Sequence, residues 1–411
     1  MNIKSKALII LLSFGYFFNA ISQDNANCDG QRYLEEVFTE VSVLTGVKFG
    51  EGTTIAGNQQ ELFMDVYEPV DDTAETRPAV VLAFGGSFIG GERQDLDWLC
   101  EAYARRGFVA VTIDYRLYDL PLFPLPSEIE ITEVVIKSIS DMKAAIRLLR
   151  EDADTENTFK IDPELIFIGG ISAGAITAAH TAFLDDTDIV TDEIAALIEA
   201  NGGLEGNSSN NFQYSSEVQG LINYSGGIAN KDWIDADDPI FISFHDDNDP
   251  IVPYEDDFAV IFGFDIIFMS GSKSCSDKAN DAGLFNELHT IENSESHVSY
   301  LFNDTDIKEV LDTTSLFLSH IICGDAISST TNNSIENLVS FPNPSSEYVH
   351  FQSKSNKNFD VRVFDNFGKQ INYWQNTIKI NISNLAPGMY LLQVSERSTG
   401  RLSNVKLIKT D

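Results

Sequence analysis

The stretch "FIGGISAGAIT", Phe167 to Thr177, sets a single serine among small residues directly after an apolar run. Gly170-Ile171-Ser172-Ala173-Gly174 fits G-x-S-x-G, and its small flank (Gly169, Gly170, Ala173, Gly174, Ala175) is continuous. Small residues let a strand and a helix pass closely at a sharp turn, where a serine hydroxyl can stand clear of a sheet. Three fixed letters in five arise easily by chance. A buried strand before them, "LIFIGG" (Leu165–Gly170), and a helical stretch after them, Ala173–Phe183, make the context far rarer. Ser172 is therefore a candidate nucleophile rather than a turn residue.

Outward from this point the chain alternates apolar runs with amphipathic segments. "AVVLAF" (Ala79–Phe84), "FVAVTIDY" (Phe108–Tyr115), "GLINYSG" (Gly220–Gly226), "IFISFH" (Ile240–His245) and "LFNELHTI" (Leu284–Ile291) read as further buried strands. Helical stretches lie around Gln94–Arg106 and Glu128–Glu151. Such alternation predicts a doubly wound, mostly parallel sheet, an α/β architecture. "LFMDVYEP" (Leu62–Pro69) alternates more openly and suits an antiparallel strand ahead of that core. After Cys323 the texture changes. "GDAISSTTNNSIENL" is small, polar and aperiodic, as a linker would be. Beyond it, "YVHFQS", "FDVRVFDNFGK", "IKINIS" and "GMYLLQVSE" alternate apolar and polar residues, which describes a small β-sandwich.

A nucleophilic serine needs a general base and an orienting carboxylate, which in such a fold follow it in the order acid, then histidine. Of the six histidines, His180 precedes any acid and reads as packing. His245 ends a strand, His320 lies in the last helical stretch and His350 in the sandwich. His297, in "ENSESHVSY", lies in polar loop sequence past the last core strand and is the first choice as base, with His289 second. In "FHDDNDPIVPY" (Phe244–Tyr254), Asp246, Asp247 and Asp249 all follow a strand. A solvated acidic loop or a weak calcium site is the alternative there, although the spacing does not match an EF-hand. The glycine-dense "AFGGSFIGG" (Ala83–Gly91) could aim main-chain amides at an oxyanion.

Composition bounds the rest. At 411 residues the chain can hold more than one domain. Lys4 and Lys6, the apolar run Ala7–Phe18 and the small-x-small site Ala20-Ile21-Ser22 predict a signal peptide over 1–22, with no membrane span in the mature protein. The net charge of -36 disfavours nucleic acid and polyanionic substrates. It is uneven: Val339–Asp411 carries nine Lys/Arg against five Asp/Glu. Export makes Cys28, Cys100, Cys275 and Cys323 disulfide candidates, and the lack of any Cys-x-x-Cys pair argues against zinc. The division expected is a signal over 1–22, a catalytic domain over 23–325, a linker over 326–338 and a sandwich over 339–411.

Together these segments resemble the α/β-hydrolase fold, and within it carboxylesterases of the hormone-sensitive-lipase and cholinesterase kind. "VLAFGGSFIGG" is similar to that family's oxyanion segment, with Phe84 where its histidine stands and Ser87 in place of its third glycine. "GFVAVTIDYRL" resembles the following strand, "GISAGA" the nucleophile elbow, "HDDNDPIVPY" the acid loop and "SHVSY" the histidine loop, where Ser296 replaces a common glycine. The resemblance implies Ser172 as nucleophile, Asp249 as orienting acid and His297 as base, with the amides of Gly86, Ser87 and Ala173 as oxyanion hole. It implies no metal or cofactor, and suggests Cys28–Cys100 and Cys275–Cys323 as disulfides. "SFPNPSSEYVHF", "VFDNFGK", "NLAPGMYLLQV" and "KLIK" resemble, in order, the sorting domain of the type IX (Por) secretion system. That implies export across both membranes, to the surface or the medium, with removal of this domain. The expectation is a secreted serine esterase acting on short acyl or aryl esters, on acylated polysaccharide or on polyesters. A serine peptidase of the same fold and a non-catalytic surface binding protein are the alternatives.

Overall fold

A computed structural model of the chain describes residues 27–323, 335, 338–353, 358–364, 370–396 and 401–410. The signal segment expected over 1–22 and most of the linker expected over 326–338 lie outside them.

The elements run β1 (Val41–Thr53), β2 (Gln59–Pro69), β3 (Arg77–Ala83), α1 (Asp97–Arg105), β4 (Val109–Ile113), α2 (Glu128–Asp154), β5 (Ile161–Ile171), α3 (Ala173–Phe183), α4 (Asp192–Ala200), β6 (Gly220–Tyr224), β7 (Gly227–Ile228), β8 (Ile240–Asp246), β9 (Asp256–Ile261), β10 (Phe264–Gly271), α5 (Ser272–Ala282), β11 (Asn286–Ile291) and α6 (Asp304–Cys323). Eight strands form one sheet in the order β1-β2-β4-β3-β5-β6-β8-β11. β1, β2 and β4 pair antiparallel, and every pairing from β4 through β3 to β11 is parallel. The sequence explains the division. β3, β4 and β6 are buried at every position, as strands covered on both faces must be. β1 is largely exposed and closes the edge. This is the α/β-hydrolase architecture.

Helix α2 begins with a capping box: the Ser127 hydroxyl accepts from the Glu130 amide, and the Glu130 carboxylate accepts from the Ser127 amide at 2.8 Å. Strands β7, β10 and β9 form a separate three-stranded sheet. Its β9–β10 hairpin turns at Phe262 and Gly263, both at positive φ (51° and 81°), a mirror-type turn that matches strand twist.

The disulfide expectation is corrected. Cys28 bonds Cys323, with Cα atoms 5.8 Å apart, while Cys100 and Cys275 are free and buried. The N-terminal segment lies along the end of α1, where the Tyr33 amide donates to Arg106 O at 2.8 Å, and the Arg106 guanidinium reaches Asp312 of α6 at 3.1 Å. That brings Cys28 to the end of α6. Cys100 instead faces the core from α1, and Cys275 is enclosed on α5 with its thiol toward Ser270 O.

Past the linker lie β12 (Val339–Phe341), β13 (Tyr348–Gln352), β14 (Phe359–Phe364), β15 (Gln370–Thr377), β16 (Lys379–Asn381), β17 (Gly388–Glu396) and β18 (Arg401–Lys409). They form antiparallel sheets ordered β12-β13-β16 and β15-β14-β17-β18, around a core of their own that includes Val349, Phe359, Val361, Ile380 and Leu392. This is a small β domain.

Candidate active site

Ser172 sits between β5 and α3 with φ 55° and ψ -117°, a conformation disfavoured for any residue with a side chain. Its amide donates to Tyr224 O of β6 at 2.8 Å, which fixes the turn to the sheet. The close approach that small residues predict is present: a Cβ at Gly174 would fall 2.0 Å from Ala83 O. The loop after β3 lies against the same turn, since a Cβ at Gly85 would fall 3.4 Å from Ser172 Cβ.

β5, β6, β8 and β11 are parallel neighbours, so the segments leaving their carboxyl ends share one edge of the sheet. Asp249 and His297 both arise there. His297 Nδ1 donates to Asp249 Oδ2 at 2.6 Å, and Asp249 Oδ1 accepts from the Ile251 and Val252 amides at 2.8 and 3.1 Å. A carboxylate only accepts, so the imidazole carries its proton on Nδ1 and leaves Nε2 as the basic nitrogen. That Nε2 is buried and unpartnered in the described structure, with no hydrogen bond to Ser172 Oγ. Burial of the Asp249 carboxyl would raise its pKa, but hydrogen bonds from His245 and His297, the charge of His297 and the loop amide outweigh it and hold it at about 2.

The neighbouring aspartates serve the histidine loop. Asp247 accepts from the Asn293 and Ser294 amides at 2.9 and 3.0 Å, and Asp246 accepts from the Ser299 amide at 3.0 Å and from its hydroxyl. The Tyr300 hydroxyl donates to Phe244 O at 2.9 Å. The acid loop therefore clamps the loop that carries His297.

Sequence reasoning missed the part taken by His245. Its Nε2 faces two acceptors, Val252 O at 3.1 Å and Asp249 Oδ2 at 3.4 Å, so it carries a proton toward the acid. Asp249 is thus held between two imidazoles. The only signal in the sequence was the i, i+4 spacing of His245 and Asp249 at a strand end. The other histidines lie elsewhere: His289 stacks on Phe244, and His350 stacks on Phe341. His180 is buried, its pKa lowered to about 4 by desolvation.

The Gly86, Ser87 and Phe88 backbone turns through three consecutive positive φ values (127°, 55° and 60°) beside the serine. The residues after β4 brace it. The Tyr115 hydroxyl donates to Phe84 O at 2.7 Å, the two rings stack at 4.4 Å, and the buried Arg116 guanidinium meets Asp141 of α2 at 2.8 Å. Ala173 provides the first amide of α3, which has no intrahelical acceptor. Among the described residues no cluster of three or more His, Cys, Asp or Glu could hold a metal ion, and no helix is long and apolar enough to cross a membrane.

Comparison with known proteins agrees with this fold. The BD-FAE family is matched over residues 64–232, a span that takes in Gly86, Ser87, Ser172 and Ala173 and ends before Asp249 and His297. The secretion system C-terminal sorting domain is matched over residues 339–410. No curated protein matches the chain. Among solved structures, Thermogutta terrifontis esterase 2 phosphonylated by sarin aligns with a TM-score of 0.50 and 21% identity, covering 69% of this chain and 96% of the other. The propionate-bound thermophilic esterase from the same planctomycete aligns with a TM-score of 0.49 and 22% identity, covering 71% and 98%. Residues 64–232 are thus similar to the BD-FAE family, on an α/β-hydrolase fold, and residues 339–410 to the secretion system C-terminal sorting domain.

Proposed function

We propose that the protein is a secreted carboxylic-ester hydrolase working through an acyl-enzyme on Ser172. The observation that carries the reading is the 2.6 Å Asp249–His297 hydrogen bond on the sheet edge that also holds the strained Ser172 turn. In this mechanism Ser172 Oγ attacks the ester carbonyl carbon while His297 Nε2 takes the hydroxyl proton. Asp249 stabilises the imidazolium through Nδ1–H. The amides of Gly86, Ser87 and Ala173 receive the oxyanion. Collapse of the tetrahedral intermediate expels the alcohol with the proton from Nε2, and water attacks the acyl-serine by the same steps in reverse roles. The hydroxyl–imidazole contact closes on substrate binding, as resting sites of this kind often leave it open.

The hydrolase unit, taken as 23–325, would reach the surface or medium through the type IX machinery that the sorting domain addresses, losing 339–411 on the way. The substrate would be a small-molecule or polymeric ester, and the net charge of -36 sets polyanions against it. Ser172→Ala should lose hydrolysis of p-nitrophenyl acetate by at least about a thousandfold and should no longer be labelled by a fluorophosphonate. Wild-type rates in that variant would overturn the assignment.

A further inference from the structure

Beside the candidate nucleophile lies a cavity of about 310 Å³, at the small end of ligand pockets. It starts at Ser87, Ser172 and Ala173 and continues along α3 past Ile176 and His180 to Leu184. These positions fall every three to four residues, one stripe of the helix, and the stripe runs about 16 Å from the elbow. The opposite walls are α2, with Ile131, Val135 and Ile139 at four-residue steps on one face, and the β9–β10 hairpin, with Ile261 and Ile267. The hairpin is tied to the acid loop by the Val260 amide donating to Ile251 O at 2.8 Å and to β7 through β10.

The polar atoms in the depth of this cavity are already engaged. His180 Nδ1 donates to Ile176 O at 2.8 Å, so its Nε2 accepts from the Ala229 amide at 3.0 Å. Trp233 Nε1 donates to Ile189 O at 3.3 Å. Glu128 and Thr132 stand on the first turns of α2, and the walls beyond them are apolar, mostly branched aliphatic side chains with Phe88, Trp233, Phe268 and Met269 among them. Past Glu128 and Thr132, a phenolic or sugar hydroxyl would meet only the engaged polar atoms of His180 and Trp233 and would lose its hydration without compensation. An alkyl chain leaves no hydrogen bond unmade by entering.

Resting on the esterase reading above, we propose that this cavity receives the acyl chain of the substrate, and that the chain is aliphatic and of medium length, about six to ten carbons. With carbon–carbon bonds of about 1.5 Å, an extended chain of eight carbons reaches about 9 Å, well within the stripe on α3. The expectation of short acyl groups is thereby extended: an acetyl group fills only the space next to Ser172.

The test uses the full chain and p-nitrophenyl esters from acetate to dodecanoate, together with methyl ferulate. The kcat/KM of the wild type should rise at least tenfold from acetate to octanoate and fall again by dodecanoate, because each buried methylene adds binding to the transition state. Ile176→Phe on α3 and Ile267→Trp on the facing hairpin should each lower the octanoate-to-acetate ratio at least tenfold, a ratio that partial unfolding does not change. A profile that falls steadily from acetate, a preference for ferulate over octanoate, or an unchanged ratio in both variants would overturn the proposal. Ser172→Ala separates the two levels: full activity there sinks the mechanism, whereas an inactive Ser172→Ala beside a flat wild-type profile sinks only the acyl pocket.

Discussion

At the scale of single residues, the site is a contest between burial and hydrogen bonding that the carboxylate of Asp249 wins. Burial penalises its charge, yet two imidazoles and two amides point at it, and its pKa is held at about 2. The sign follows directly. A depressed folded pKa stabilises the fold above the ordinary carboxylate range, and that contribution is lost only as pH falls toward 2. Across the working range the acid is always ionised and adds no titration step. Log kcat/KM against pH should therefore show no ionisation of Asp249 above about pH 3. A carboxyl resonance of Asp249 that titrates above about pH 4 by NMR would contradict this. Asp249→Asn, which keeps the shape but can turn an N–H toward His297, should cost about 10³–10⁴ in kcat with little change in KM. The sequence held most of this site. The elbow, the acid loop and the histidine loop each sit in short polar or glycine-rich stretches after apolar runs, so local pattern reveals them. His245 escaped because its role depends on a carbonyl seven residues on, at Val252, and no spacing rule encodes that contact.

At the scale of elements, the decisive packing is α3 against β3, where Gly174 meets the backbone of Ala83. A methyl there would fall 2.0 Å from Ala83 O and 2.4 Å from its carbonyl carbon, so Gly174→Ala must push helix and strand apart. Overpacking of this kind costs about 1–3 kcal/mol or more. Gly90→Ala is the contrast, since its Cβ would meet nothing within 4 Å. Thermal unfolding should show Gly174→Ala lowered by several degrees and Gly90→Ala within about one or two. Equal melting points would contradict the packing described. The strands that were legible were those buried on both faces, such as "AVVLAF" and "GLINYSG", because a run of branched apolar residues between turns has few other readings. β1 and the β9–β10 hairpin were not. β1 is mostly exposed, so no apolar rhythm marks it. In "DDFAVIFGFDIIFMSG" the aromatic residues fall on the exposed positions, with Phe258, Phe262, Phe264 and Phe268 all open to solvent, which hides the alternation. The hairpin that walls the cavity was therefore invisible until the fold was seen.

At the scale of the whole molecule, the cysteines show why depth in the fold cannot be read from order along the chain. A pairing carried over by resemblance joined Cys28 to Cys100 and Cys275 to Cys323, yet the bond formed spans 295 residues and ties the first described segment to the end of α6. Closing so long a loop removes much freedom from the unfolded chain and contributes roughly 2–5 kcal/mol. Cys100 and Cys275 are enclosed instead, and burial pushes the Cys275 thiol up to about 12 and raises Cys100 as well. Since the thiolate is the reactive form, both should be inert in the native state. Ellman's reagent should find no thiol in the folded oxidised protein and two after denaturation. A gentle reductant should open only Cys28–Cys323, lower the melting temperature by several degrees, and leave the esterase rate of the folded fraction near its original value, because the bond joins the segment before β1 to the end of α6 and does not touch Ser172 or His297. Four thiols in the denatured oxidised protein, or none, would contradict the single bond.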